Sequence, residues 1–380
     1  MSRLRVGVIF GGRSVEHEVS LVSARAVMKH LDPSRYECVP IGISREGRWL
    51  ASADATLLLD GVDNGTTATP VSLPADPAVR ALVPVTTGTP VPGAAAQASP
   101  RLDVVFPLVH GTGGEDGTLQ GLLELAGIPY VGSGVLGSSL GMDKIAMKTA
   151  FIAAGIPCGS HIGTTRLRAR SDPARLAREV AESIGYPCFV KPANGGSSVG
   201  ISRVKNPEGL GMAIQEAALY DRRLIIEEAI AGQEVECAVL GNEDPQASVV
   251  GEIVPCNEFY DYSAKYIDEG SKLIVPAGIT TAQSERVRAL SVDAFKAIDC
   301  AGMARVDFFV RKADGEVLIN EINTIPGFTP ISMFPRLWEA AGVPFDVLVT
   351  RLISLAIERH EDRVASRTDF APGQRVPGGG

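Results

Sequence analysis

MARVDFFVRKADGEVLINEIN, residues 303–323, reads as two strands joined at Asp314-Gly315, a strong two-residue hairpin signal. Such a turn pairs Asp307 with a position near Glu321 or Ile322. Side chains alternate faces along a strand, so Arg305 and Asp307 share one face, and Glu321 and Asn323 share one on the partner strand. Two carboxylates, one amide oxygen and a guanidinium then converge on a single patch. Hard oxygen ligands of this kind suit Mg²⁺ held jointly with substrate phosphates. The alternative is a solvated hairpin face with an incidental salt bridge. Acids this near the apolar runs VDFFV and VLINEI are costly to bury unpaired, which favours the metal site.

Working outward, TIPGFTPISM (324–333) follows at once. Its Pro and Gly end the strand and expose backbone N–H groups beside the patch, an arrangement able to hold an oxyanion, although a Pro-Gly turn is usually only a turn. Upstream, FYDYSAKY (259–266) is either an aromatic-rich strand end or a mobile loop that brings Lys265 to a phosphate and Tyr266 to a substrate. IIEEAI (225–230) is either an edge strand or a backbone strip for an adenine. KPANGGSSVG (191–200) lies between the strand-like PCFVKPA and VGISRV and reads as a hairpin loop. Its lysine precedes the glycines, whereas in a P-loop the lysine follows them. Lys191 ends a strand, and Lys144 opens or lines the helix MDKIAMKTAFIAA. Beside a glycine hairpin the pair suits the α- and β-phosphates of a nucleotide, though surface lysines are usually just solvated.

In the first third, RVGVIF (5–10), CVPIGI (38–43) and DVVFPL (103–108) are apolar runs that alternate with helical patterns at 18–31 and 117–127. That alternation predicts a parallel, doubly wound α/β domain. GGRSVEHEVSL (11–21) and HGTGGEDGTLQG (110–121) follow strands and precede helices, where open α/β sheets bind ligands, and neither fits GxGxxG. Glu16 there suits a substrate ammonium, or is simply an acid favoured by the helix dipole. Residues 51–102, rich in Ala, Pro, Thr and Gly, read as a surface insertion with little regular structure. Three domains are expected: 1–134 carrying that insertion, a small central unit at 135–224, and 225–366, which contains the long helix at 284–302. A disordered tail, 367–380, closes the chain.

A length of 380 residues allows two or three domains, and 45% hydrophobic with 21% charged residues suits a soluble globular protein. No apolar run approaches the 18 or more residues of a membrane span, and the N-terminus reads as a buried strand, not a signal peptide. A net charge of −8 without a basic stripe argues against nucleic acid as the partner. The six cysteines are scattered without CxxC, which favours reduced thiols in a cytoplasmic protein over a zinc site.

Taken in order, GGRSVEHEVSL, HGTGGEDGTLQG, MDKIAMK, VKPANGGSSVG, EFYDYSAKY, ARVDFF and NEINTIPGFTPISMFP resemble the D-alanine–D-alanine ligases of the ATP-grasp superfamily, over about residues 4–360 apart from 51–102. The resemblance implies an α/β fold, α+β in its C-terminal part, with ATP between the central and C-terminal domains. Lys144 and Lys191 would contact its phosphates, Glu227, Glu228, Ala229 and Ile230 its adenine, Glu234 the ribose, Phe259 the base and Lys265 the γ-phosphate. Glu228 stands where some relatives carry a basic residue, so its contact would use the backbone. Asp307, Glu321 and Asn323 would hold two Mg²⁺ ions, or Mn²⁺ in their place. Glu16 would hold the first D-alanine's ammonium, Ser332 with Met333 the second substrate, and His110 would add a substrate contact. Arg305 and the Gly327 N–H would stabilise the oxyanion, and Ser197 and Tyr266 would join Glu16 in a network closing the lid. The implied reaction makes D-alanyl-D-alanine for peptidoglycan through a D-alanyl phosphate. Tyr266 favours that dipeptide over the depsipeptide D-alanyl-D-lactate. A cytoplasmic homodimer is expected. A turnover-deficient regulatory subunit and an ATP-grasp carboxylase are the other readings.

Overall fold

The computed structural model describes residues 3–62, 68–85, 101–254 and 272–367. Phe259, Lys265 and Tyr266 lie outside these residues, as do Cys256 and, save for Arg367, the expected tail.

The run RVGVIF becomes β1 (Leu4–Gly11), whose last six residues are buried. It earns that burial by lying between two parallel partners, β2 (Tyr36–Ile43) and β6 (Val104–Pro107), which is why its sequence is apolar throughout and not alternating. The strand must end in glycine: Gly11 has φ +85°, and a Cβ there would sit 2.2 Å from the Ile43 carbonyl oxygen. The chain then turns off the end of the sheet into α1 (His17–His30).

The expectation that 51–102 carries little regular structure is corrected. β3 (Trp49–Ala51) runs into this stretch, and among its described residues β4 (Thr69–Ser72) and β5 (Val83–Pro84) continue the sheet in the order β5-β4-β3-β2-β1-β6, with a helix, α2 (Ala55–Gly61), between β3 and β4. These strands pair antiparallel, so the sheet is mixed and only its β2-β1-β6 portion is parallel. Leu58, Leu59, Val62, Val71, Leu73 and Leu82 are buried beneath them. Strands of two to four residues are too short to display a period, so the Pro- and Thr-rich composition hid them.

After α3 (Thr118–Leu125), α4 (Val135–Met142) and α5 (Lys144–Ala153) come β7 (His161–Thr165), α6 (Arg166–Ser171), α7 (Pro173–Ser183), β8 (Cys188–Pro192), β9 (Ser202–Val204), α8 (Leu210–Tyr220) and β10 (Arg223–Glu228). The four strands form an antiparallel sheet in the order β7-β10-β8-β9. The glycine stretch joins adjacent strands β8 and β9, as a hairpin loop must. Two expectations are corrected here. β10 is an inner strand, not an edge, and a boundary between 224 and 225 would cut through its ladders to β7 and β8. α5, assigned to the central unit, packs Met147 and Phe151 into the C-terminal core with Ile298, Phe308 and Ile319.

The third sheet runs β13 (Lys272–Ile274), β12 (Gln246–Val254), β11 (Gly232–Gly241), β14 (Gly302–Arg311), β15 (Val317–Asn323), all antiparallel. Helix α9 (Thr281–Ala297), opened by a Thr280/Gln283 capping box, covers one face through Val287, Leu290, Ala294 and Phe295. On the other side, α10 (Met333–Ala340) and α11 (Phe345–Val364) join one core with the first sheet. There Phe334, Trp338 and Leu352 meet Val8, Phe10 and Phe106. Phe328 stacks edge-on against Phe106, with centroids 5.7 Å apart. Among the described residues no single helix is long and apolar enough to cross a membrane. α10 and α11 would suffice only jointly, and they bend by 105°.

Candidate active site

Arg305, Asp307, Glu321 and Asn323 do lie on one face, but the turn expected to align them is different. Arg311 N–H donates to the Glu316 carbonyl and Gly315 N–H to the Arg311 carbonyl, 2.8 Å each, which encloses a four-residue loop, 312–315. Carried along the strands, that register would set Asn320 opposite Asp307 and turn Glu321 toward the core with Val317 and Ile319. A β-bulge intervenes: Phe308 pairs with Ile319, yet Asp307 pairs with Glu321 and Arg305 with Asn323. The extra residue, Asn320, resets the alternation, so Glu321 faces the cleft and Ile322 the core.

On β11 the partners of Asp307 and Arg305 are Glu236 and Ala238. Glu236, Asp307 and Glu321 therefore form one cross-strand row of carboxylates, which repel unless countered. The counter-charge is Arg305. Its guanidinium donates to both Asp307 oxygens, at 2.8 and 2.7 Å, and lies 3.1 Å from Glu236. Burial disfavours that cation, but Asp307 and Glu236 outweigh it and hold Arg305 well above the ordinary guanidinium range. The Asn323 amide donates to Asp307 at 3.1 Å. Among the described residues no three His, Cys, Asp or Glu side chains are arranged to hold a metal ion by themselves. Two carboxylates and an amide still fit Mg²⁺ chemistry, because that ion takes a few protein oxygens and fills its octahedron with water and phosphate.

Two cavities flank this face. One, ≈ 530 Å³, is lined by Lys144, Lys191, the glycine loop, residues 227–232, Glu234, Asp307 and Phe309. The other, ≈ 410 Å³, is lined by Glu16, His110, Glu115, Gly327, Ser332 and Met333. Lys144, Gly195 to Ser197, Glu236, Arg305 and Glu321 line both. Lys144 reaches the Gly195 carbonyl at 2.7 Å and Glu321 at 3.6 Å. Lys191 sits 2.6 Å from Glu227 and over the Phe189 ring. Burial opposes the Glu227 carboxylate, yet Lys148 and Lys191 prevail and hold it far below the ordinary carboxylate range. Lys191 is held above its ordinary range by Glu227 and Glu321 against burial. The N–H groups of Glu228 and Ala229 already donate to the Ser160 and Pro187 carbonyls. The contact expected from the Glu228 and Ala229 backbone is thus left to their carbonyls.

In the smaller cavity Glu16 ends the first loop at the start of α1 without capping its own helix. Its carboxylate accepts from the Ser197 hydroxyl. Ser197 and Ser198 hold φ of +50° and +59°, a left-handed conformation unusual for residues bearing a side chain. His110 is engaged at both nitrogens. Its Nδ1 donates to the Ile325 carbonyl at 3.0 Å, and Nε2 lies 3.2 Å from the Ser23 hydroxyl. Burial lowers its basicity despite the Glu16 charge. Glu115 accepts the N–H of Gly111 at 2.6 Å and of Ile325 at 3.1 Å. Partial burial and the facing Glu16 charge push its carboxyl up to about 8. Ile325 is thus gripped at both N–H and C=O two residues before Gly327. The Ser332 hydroxyl lies 2.7 Å from that of Thr329 and accepts the Thr329 N–H at 3.1 Å.

Of the residues singled out from sequence, all but Phe259, Lys265 and Tyr266 line one of the two cavities. Three participants escaped that reading: Glu115, Lys148 and Glu236. The first two sit inside quoted motifs, where an acid in HGTGGEDG and a second lysine four residues after Lys144 were the available signals. Glu236 was signalled only by alternation with Glu234 in QEVEC.

A family profile described as the D-ala D-ala ligase N-terminus matches residues 5–133, and one described as the D-ala D-ala ligase C-terminus matches 150–354. The chain is 48% identical to a D-alanine–D-alanine ligase of Geobacillus thermodenitrificans over 363 residues, 95% of this chain and 97% of that one. A ligase of the same name from Ruminiclostridium cellulolyticum is 47% identical over 370 residues, with the same two shares. Among solved structures, the D-alanine–D-alanine ligase of Coxiella burnetii superposes with a TM-score of 0.82 at 36% identity, covering 96% of this chain and 97% of that one. The VanG D-Ala:D-Ser ligase of Enterococcus faecalis gives 0.82 and 36%, covering 93% and 100%.

Proposed function

The chain belongs to the D-alanine–D-alanine ligase family, with its ATP-grasp fold, and from that premise we propose that it joins two D-alanines at the expense of ATP as a step toward peptidoglycan. The observation that carries the reading is the common wall of the two cavities. A nucleotide in the larger one directs its terminal phosphate at the wall that an amino acid in the smaller one faces with its carboxylate. A first D-alanine oxygen attacks the γ-phosphorus, the bond to ADP breaks, and an acyl phosphate forms. The amine of the second D-alanine then attacks that carbonyl, phosphate leaves, and the amine gives up a proton.

Phosphoryl transfer of this kind relies on alignment and charge neutralisation more than on a protein nucleophile. Lys144 and Lys191 supply cations along the phosphates, with Glu227 to Ile230 and Glu234 toward the base and ribose. Arg305 and the Gly327 N–H face the developing oxyanion. Glu16, held by Ser197, takes the first ammonium, and Ser332 with Met333 the second substrate. His110 acts through the Ile325 peptide. Mg²⁺ held by Asp307, Glu321 and Asn323 would screen the phosphate charges. A cytoplasmic homodimer accompanies the reading as a family expectation.

The depsipeptide alternative is not favoured, because the relatives named above at 47–48% identity are dipeptide ligases. A coupled ADP-release assay with D-alanine, D-serine and D-lactate as acceptors tests the proposal. D-Alanine-dependent ADP release with D-alanyl-D-alanine as the main product is expected, and release independent of D-alanine would refute it. Asp307→Ala should lose nearly all turnover, and full activity in that variant would refute the metal assignment.

A further inference from the structure

Lys148 has no role in the mechanism above, yet it is among the most enclosed cations of the cleft. It follows Lys144 by one turn of α5 and is only 3% exposed. An ammonium that deep is sustained only by partners that satisfy its donors. Lys148 has two, from different sheets. Its Nζ lies 2.9 Å from Glu227 Oε1, at the end of β10, and donates to the carbonyl of Asn320 at 3.1 Å. Asn320 is the bulge residue of β15, the one that turns Glu321 from the core to the cleft. A single buried charge thus joins the carboxylate at the nucleotide cavity to the backbone kink that aims a carboxylate at the phosphates.

We propose that Lys148 is a positioning residue that couples nucleotide binding at Glu227 to the seating of Glu321. The inference rests on the ATP and Mg²⁺ reading of the cleft. Lys191 occupies the other oxygen of Glu227 at 2.6 Å, so the carboxylate stays neutralised even when Lys148 is removed. Among the described residues, the bulge carbonyl has no such second cation. Loss of Lys148 therefore falls on the hairpin more than on Glu227. A residue serving only as packing would weaken nucleotide binding equally with and without the metal. A coupling residue weakens the enhancement that the metal confers.

Calorimetric titration of the full chain with a non-hydrolysable ATP analogue, with and without Mg²⁺, separates these cases. The unaltered protein is expected to bind the analogue more tightly with Mg²⁺. In Lys148→Met that enhancement should shrink by about tenfold, within the usual range of couplings between sites. Affinity without Mg²⁺ should change much less. Equal weakening in both conditions, or an undiminished enhancement, would overturn the inference. Circular dichroism checks the fold. If Lys148→Met does not fold, Lys148→Arg decides, because its planar head keeps the charge beside Glu227 but cannot reproduce both contacts of a compact ammonium. An intermediate enhancement is expected there, and a full one overturns the proposal. Failure of the unaltered protein to bind the analogue would instead bring down the ATP reading, and this inference with it.

Discussion

On the β14–β15 side of the cleft, Arg305, Asp307, Glu321 and Asn323 ride on strands whose backbones pair residue by residue. On the opposite side, Glu16, His110, Glu115 and Ser197 come from loops, and what fixes them is side-chain hydrogen bonds to one another and to neighbouring backbone. Ser197 donates to Glu16, while Glu115 and His110 grip the two sides of the Ile325 peptide. The strand side holds its geometry through the ladder and needs side-chain pairing mainly to neutralise charge. The loop side uses side-chain hydrogen bonds to create geometry at all. Removing a group from the strand side should therefore cost electrostatics and leave the frame standing. Removing one from the loop side should release the frame.

The largest effect is expected from Arg305→Met. It strips the counter-charge from Asp307 and Glu236 together, and breaking one partner of a buried pair costs about 3–5 kcal/mol. Turnover should fall by about 10²–10³, as for loss of an oxyanion donor. Denaturant melts and ADP release measure the two effects, and turnover within a few-fold of the unaltered protein would break the contrast between the walls. Ser197→Ala comes next. A hydrogen bond to a charged group contributes about 1.5–3 kcal/mol, or roughly 10- to 100-fold. The loss should appear in D-alanine turnover, with analogue binding nearly unchanged, and the reverse pattern would refute that division.

Glu115→Gln should have the smallest effect on turnover, about tenfold or less, and its signature is pH dependence. A Gln amide can accept only one of the two N–H groups that the carboxylate accepts. Burial and Glu16 push the carboxyl up to about 8, so the folded state keeps a proton that the unfolded chain releases in the ordinary carboxyl range. Stability from this group is present at acid pH and is lost as pH rises through about 8. The Tm advantage of the unaltered protein over the variant should therefore shrink between pH 5 and 9. A constant difference would sharpen the comparison against a titrating group in the loop wall.

Much of this was legible in the sequence because alternation is a local rule. Arg305 with Asp307, and Glu321 with Asn323, could be set on common faces from spacing alone. The register between them was legible only to within a residue: a two-residue turn sets Ile322 opposite Asp307, and the longer turn and the bulge at Asn320 together move that partner to Glu321. Neither leaves a residue signature, since turn length and bulges are settled by how the strands pack on α5 and α9. The short strands within 51–102 were hidden for a related reason: they are ordered by the sheet they extend and not by any preference of their own.

The sequence by itself determined the strand–helix alternation of the first unit, the glycine hairpin between β8 and β9, and which cleft residues carry charge. Only the tertiary structure decided which charges meet. Lys148 and the Asn320 carbonyl stand 172 residues apart, and Ser23, His110 and Ile325 span three separate stretches of chain. Periodicity tells a side chain which face it takes, but burial selects its partner: an ion or N–H removed from water must find a counterpart wherever the packed sheets bring one.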